Sequence, residues 1–124
     1  MEEYNKISGK ILDAAIEVHK ELGPGLLESV YEICLIKELK NRNLEVRNQV
    51  DLPIYYKGDK LESHFRIDLL VEESVIVELK TVEKILPVHK AQLLSYMKLA
   101  NKKLGLLINF NQTLLKDGFK RFIL

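Results

Sequence analysis

The stretch "VIVELKTV", Val75–Val82, decides how the rest of the chain is read. Five of its eight residues are apolar and mostly β-branched, the composition of a buried strand. Yet it carries Glu78 and Lys80, and a buried strand tolerates charges only where something compensates them. Side chains alternate across a strand, so Ile76, Glu78 and Lys80 share one face while Val75, Val77 and Leu79 take the other.

The preceding segment bears on those charges. Leu61, Phe65, Ile67, Leu69 and Val71 share one parity, which predicts a strand with these residues on one face and Glu62, His64, Arg66, Asp68 and Leu70 on the other. "EES", Glu72–Ser74, turns this strand into the next. If all three residues form the loop, Val71 pairs with Val75, Asp68 lies opposite Glu78 and Arg66 opposite Lys80, with paired Cβ atoms about 4.5–5.5 Å apart. A shorter loop sets Asp68 opposite Val77 and its carboxylate on the other face. Apolar alternation does not choose between the registers, because Val75–Leu79 is apolar on both sides.

Two carboxylates opposed inside a sheet repel, and each loses hydration. A divalent cation between them reverses that sign, and carboxylate oxygens suit Mg²⁺ and Mn²⁺, with water or phosphate completing the octahedron. Lys80 would then point toward the same place, where an ammonium can hold an attacking water or offset charge on a phosphorane-like transition state. The same four residues, Arg66, Asp68, Glu78 and Lys80, also fit a cross-strand salt-bridge lattice on a solvated face. Spacing alone leaves both readings open.

The flanking segments predict a layered α/β domain. Ile7, Ile11, Ala14, Ala15, Val18 and Leu22 recur at helical spacing over Asn5–Leu22, and "LGPG" stops the helix. Leu27, Val30, Tyr31, Cys34, Leu35 and Leu39 form the stripe of a second helix over Leu26–Asn41. Val46, Val50, Leu52, Ile54 and Tyr56 share one face of a strand, in which Pro53 marks an edge position or a bulge. "KGDK" around Gly58 is a hairpin turn. A third helix over Val88–Asn101 turns Ala91, Leu94, Met97 and Ala100 inward. "KLGLLINF", Lys103–Phe110, reads as a central strand, parallel to Val75–Val82 through a right-handed crossover. A turn at Gly118 leads to a short last strand. The element order is α-α-β-β-β-α-β-β.

At 124 residues, 47% of them hydrophobic, the chain has material for one core and one domain, residues 1–124. A net charge of +1 carries no signature of nucleic-acid binding and excludes no local basic patch. The single Cys34 has no disulfide partner and reads as a small core residue in a reducing compartment. "MEEYNK" lacks the pattern of a secretory leader, and no apolar run is long enough to span a bilayer. The expectation is a cytoplasmic protein without membrane contact. His19, His64 and His89 show no metal-ligand spacing, and His19 reads as a helix-end or packing residue that can stand near Glu28.

"RIDLLVEESVIVELK", Arg66–Lys80, places an Asp at the end of one strand and a Glu-x-Lys on the next, and so resembles the core signature of the PD-(D/E)XK nuclease superfamily. Ile67 stands where that name has proline. "QLLSY", Gln92–Tyr96, is similar to the Gln-x-x-x-Tyr motif of the RecB-type branch, and "GLLESVY", Gly25–Tyr31, matches the motif naming the GxxExxY family. "VHKELGPGLLESVYE", "YKGDKLESHFRIDLLVE" and "LLINFNQTLLKDGFKR" look like that family too, so the likeness covers nearly the whole chain.

The resemblance implies a restriction-endonuclease-like fold, with a mixed sheet flanked by helices. It implies that Asp68 and Glu78 bind Mg²⁺ or Mn²⁺, that Glu28 completes the metal site and that Lys80 is the catalytic lysine. Gln92, one turn from Tyr96, would touch substrate phosphate or water at the site's edge. From the residues alone, Glu28 also fits a first-turn acid favoured by the helix dipole, and Gln92 with Tyr96 fits an amphipathic boundary. The implied activity is metal-dependent hydrolysis of phosphodiester bonds in nucleic acid, DNA foremost. Lys84, Lys90, Lys98, Lys102, Lys103, Lys116, Lys120 and Arg121 would serve the backbone, and a shallow groove leaves room for a homodimer. The alternative is a nuclease-fold module that binds nucleic acid or a protein partner without cutting.

Overall fold

The computed structural model describes residues 1–124, the side chain of Ser63 excepted. Along the chain run α1 (Glu2–Leu22), α2 (Glu28–Asn41), β1 (Val46–Tyr56), β2 (Asp59–Val71), β3 (Val75–Lys80), α3 (Pro87–Ala100), β4 (Leu104–Asn109), a 3₁₀ turn (Leu115–Gly118) and β5 (Phe119–Ile123). The five strands form one sheet in the order β1-β2-β3-β4-β5. β3 and β4 are parallel, joined through α3, and every other neighbouring pair is antiparallel. This is the element order and mixed sheet that the sequence predicts.

Two apolar layers flank the sheet. On one side Ile7, Ile11, Ala14, Ala15 and Val18 of α1 and Tyr31, Leu35 and Leu39 of α2 pack on Leu69, Val71, Val75, Val77 and Leu79, with Leu106 and Ile108 of β4. On the other, Leu93, Tyr96 and Met97 of α3 pack on Leu70, Ile76 and Leu107, together with Leu52 and Ile67. α3 therefore buries a different stripe from the one predicted: Ala91 is exposed, and Leu93 and Tyr96 take the inner positions. Leu27 is likewise outside, 73% exposed just before α2. α1 starts earlier than Asn5, at Glu2. α3 packs closely against β4 at Gly105, where a Cβ would lie 2.6 Å from Met97 Sδ.

The faces of β1 and β2 also depart from simple parity. Leu69 and Val71 join the α1/α2 layer, whereas Ile67, of the same parity, joins the α3 layer. On β1 the same change separates Val46 from Val50 and Leu52. Between them Gln49 adopts φ +50°, and the recorded ladder skips the Gln49–Asp68 position without shifting register. A left-handed residue inside a strand turns the chain about its axis, so β1 changes the side it buries there, and β2 changes sides at the facing level, between Ile67 and Leu69. Farther out, the predicted irregularity at Pro53 is present as a register shift between Pro53 and Tyr55 on an edge strand. Lys57 and Gly58, both with positive φ, close the hairpin.

Candidate active site

The register of the β2–β3 hairpin sets the acidic residues. Val71 pairs with Val75, Leu70 with Ile76 and Leu69 with Val77. The loop is the three-residue one, with Glu72 and Glu73 both at positive φ, and Asp68 and Glu78 are next in line across the hairpin. Regular pairing gives way here to side-chain contacts. Asp68 Oδ2 accepts the Leu79 N–H at 2.8 Å, and Glu78 Oε1 accepts the Asp68 N–H at 3.4 Å. Each carboxyl thus bonds the other strand's backbone, which holds the pair face to face. The β2–β3 ladder has the expected register but ends at Leu69–Val77, short of Arg66 and Lys80, and the Arg66 side chain turns to β1. There Arg66 pairs with Asp51, with its Nε donating to Asp51 Oδ1 at 3.2 Å.

Glu78 is buried, at 5% exposure, while Asp68 is half-buried. Burial first, and the Asp68 carboxylate second, push the Glu78 carboxyl up to about 9, and Lys80 opposes them only as the last contributor. Among the described residues neither acid forms a salt bridge. The lattice reading therefore does not hold: Arg66 serves Asp51, and the buried pair has no ionic partner in contact.

Two further elements bring groups within electrostatic reach. Glu28 opens α2. Its carboxyl is raised by partial burial and by Asp68, is lowered by Lys80 and is raised again by Glu32. It is open to solvent on its outer side, yet it feels the same acid and the same lysine. Tyr96 is 6% exposed, and its hydroxyl is raised by burial and then by Glu78 and Asp68. Glu28 of α2 and Tyr96 of α3 thus both feel the charge of Asp68, Glu28 together with that of Lys80 and Tyr96 together with that of Glu78. Gln92 does not join them by any contact among the described residues, and lies on the exposed part of α3 one turn before Tyr96. His89 is engaged elsewhere, because its Nδ1 accepts the Leu86 N–H at 3.0 Å and caps α3.

Asn109 is a residue the sequence reading missed. It is fully buried and pairs with Lys80 across the parallel ladder. Its Oδ1 accepts the Val82 and Asn111 N–H groups at 3.1 and 3.2 Å, and its Nδ2 donates to Val82 O at 2.8 Å. Phe110 N–H donates to Lys80 O at 2.9 Å. The backbone leaving Lys80 is therefore clamped to the end of β4. A Cβ on Gly118 would overlap the Asn109 carbonyl oxygen, so the last turn seals this clamp at a position only glycine can fill. The missed signal is the one that exposed Glu78: Asn109 is the single polar side chain within the apolar run Leu104–Phe110.

Tyr31, the last letter of the Gly25–Tyr31 motif, is fully buried and structural. Its hydroxyl donates to Gly23 O and accepts the Leu26 N–H, and its ring stacks on Phe110 at 4.5 Å. It ties the α1–α2 turn to the end of β4 and thereby fixes where α2, with Glu28, begins.

Two close carboxyls, one of them buried, suit a small divalent cation. Mg²⁺-type sites commonly use one or two protein carboxylates and fill the remaining positions with water and substrate oxygens. Among the described residues no three acidic, His or Cys side chains stand at metal-binding distance, so Glu28 does not complete a three-carboxylate set with Asp68 and Glu78 as the resemblance implies. A family model of the PD-(D/E)XK nuclease superfamily matches residues 5–122, and the chain belongs to that superfamily. No curated protein and no solved structure matches it. Members of the superfamily generally use divalent metal ions.

Proposed function

We propose that this protein is a nuclease that hydrolyses phosphodiester bonds of DNA with Mg²⁺ or Mn²⁺, and that it belongs to the GxxExxY branch of its superfamily. One observation carries the reading: a buried Glu78 faces Asp68 with no ionic partner in contact among the described residues, and Lys80 follows two residues on. For stability alone that arrangement is unfavourable, because desolvation and mutual repulsion add. It becomes favourable when positive charge enters between the acids. Asp68 and Glu78 would hold the cation, with Glu28 at its outer side. The cation supplies neutralising charge and polarises the scissile phosphate when bound.

Lys80 Nζ orients the attacking water and offsets the charge that grows on the phosphate oxygens. Asn109 fixes the backbone from which Lys80 projects. Tyr96 closes the α3 side of the acidic pair against water, and Gln92 at the rim contacts substrate phosphate.

The test is incubation with Mn²⁺ and a panel of single-stranded, duplex, branched and RNA substrates, beside Glu78→Ala and Lys80→Ala. Wild-type cutting of DNA that needs the metal and that both variants lose is the expected result. If all three proteins bind DNA alike and none cuts, the chain is a binding module on a nuclease fold.

A further inference from the structure

On the α1 side of the molecule lies a second feature that the hydrolytic reading does not use. A cavity of about 420 Å³ opens between the α1–α2 turn and the segment linking β4 to β5. Its walls include Ile16, Pro24 and Leu114, its floor includes His19, and Lys20 and Lys116 contribute its two positive charges. None of its lining residues is acidic.

The walls are held in place by buried groups. His19, 9% exposed, bonds Gln112 O through Nε2 at 2.7 Å and so fixes the β4 side. The Tyr31 hydroxyl fixes the opposite wall through Gly23 O. Phe110 lies between the two rings, stacked on Tyr31 and 6.5 Å from His19. The cavity is thus built before any ligand arrives, has the size of a small-ligand site and joins apolar walls to a few placed polar groups. Leu114, 64% exposed at its mouth, presents an apolar surface to whatever enters.

The chain bounds how far the cavity lies from Asn109, the sheet neighbour of Lys80. Thr113 on the cavity wall is four residues later. That span reaches at most about 14 Å, roughly four nucleotides at a rise of about 3.4 Å per strand. Ligands of open α/β sheets gather beyond the carboxyl ends of the strands, where both β3 and β4 point here.

We propose that this cleft receives one unstacked nucleotide of the strand whose backbone lies at Asp68 and Glu78. The base sits against Pro24, Ile16 and Leu114, and Lys20 and Lys116 take the flanking phosphates. The proposal rests on the reading above in that the occupant is nucleic acid. It adds that the protein prefers single-stranded or locally unpaired DNA, because a paired base cannot leave its stack without cost.

The test is fluorescence anisotropy in EDTA with a labelled single-stranded oligodeoxynucleotide and the matching duplex. The proteins are wild type, Leu114→Asp and the double variant Lys20→Gln/Lys116→Gln. All three residues are solvent-exposed, so unchanged melting temperatures certify the fold. Wild type binds the single strand more tightly than the duplex. Leu114→Asp weakens single-strand binding about tenfold, through the lost apolar contact and a negative charge placed beside the phosphates. The double variant lowers the steepness of log K against log salt by about 1.4, the value for two lost phosphate contacts on a single strand.

Unchanged affinity and salt slope in both variants overturn the proposal, as does equal or tighter wild-type binding to duplex. A change of oligomeric state in Leu114→Asp with no change in binding also overturns it, by showing the cleft to be a contact between copies. No cutting is involved, so the outcomes separate. Cleft-dependent binding without Mn²⁺-dependent cleavage sinks the nuclease reading alone, and cleavage with cleft-independent binding sinks this one alone.

Discussion

The loop that joins β2 to β3 and the far end of the same hairpin both carry acids, and the two ends treat them oppositely. At the loop, Glu73 meets Arg47 in two hydrogen bonds of 2.6 and 2.8 Å, in the open. Arg47 and Glu73 each shift the other toward its charged form. A few residues away Glu78 is buried against Asp68 with no ionic partner in contact among the described residues, and is pushed toward its neutral form. The first pair is arranged as a folded surface arranges charge. The second is arranged against folding, which is where a site that must bind a cation and an anionic substrate is to be sought.

The largest effect expected from this contrast is on Glu78. Glu78→Gln keeps the shape and removes the charge. It should lower Mn²⁺-dependent cleavage by at least about 10²-fold while raising the thermal stability of the metal-free protein at pH 8. A catalytic loss accompanied by destabilisation would break the comparison, because Glu78 would then be serving the fold.

Titration sharpens the same point. The unfolded chain releases the Glu78 proton near 4.5, and the native protein holds it to about 9. The native state binds more protons through that window, so metal-free stability falls as pH rises across it. The raised Glu28 carboxyl acts in the same direction. Melting temperatures in EDTA should therefore decline from pH 5 to pH 9 in wild type and decline less in Glu78→Gln. Added Mn²⁺ must displace the proton, so its stabilising shift should grow with pH in wild type and vanish in the variant.

Much of this was legible in the sequence, and the rest was hidden for physical reasons. Val75–Leu79, apolar with a buried charge, announced both the central strand and the candidate site, and the three-residue loop put Asp68 across from Glu78 as parity allows. Parity failed for β1 because one left-handed residue, Gln49, turns that strand, and for β2 because it changes sides at the facing level of Asp68. No propensity marks a glutamine for that conformation. α3 misled because both of its sides carry apolar residues, so periodicity does not single out Leu93 and Tyr96 over Ala91 and Leu94. The partnership of Arg66 with Asp51 was invisible because it depends on the β1–β2 register, which a bulge and an edge proline loosen.

Asn109 gives a smaller and different effect. Asn109→Ala removes three hydrogen bonds and strands the buried polar groups of Val82, so it should cost about 2–4 kcal/mol of stability by denaturant melt. If Asn109 also positions Lys80, activity at a temperature where the variant is fully folded should fall in kcat with KM little changed. A variant that loses stability and keeps kcat would confine Asn109 to the fold. Tyr31→Phe, which removes only the hydroxyl bonds to Gly23 and Leu26, should cost about 1 kcal/mol.

The smallest effect belongs to the other end of the hairpin. Arg47 and Glu73 are well bonded in geometry but stand in water, where desolvation is slight, salt screens them and the long side chains resist ordering. Arg47→Ala and Glu73→Ala should each leave the melting temperature within experimental error and leave the pH profile of stability unchanged. Their double variant should behave as the sum of the two. A marked loss from either would mean that the Glu72–Ser74 loop needs this pair to hold its length. The register of Asp68 on Glu78 would then depend on a surface ion pair, and the two ends of the hairpin would be one device.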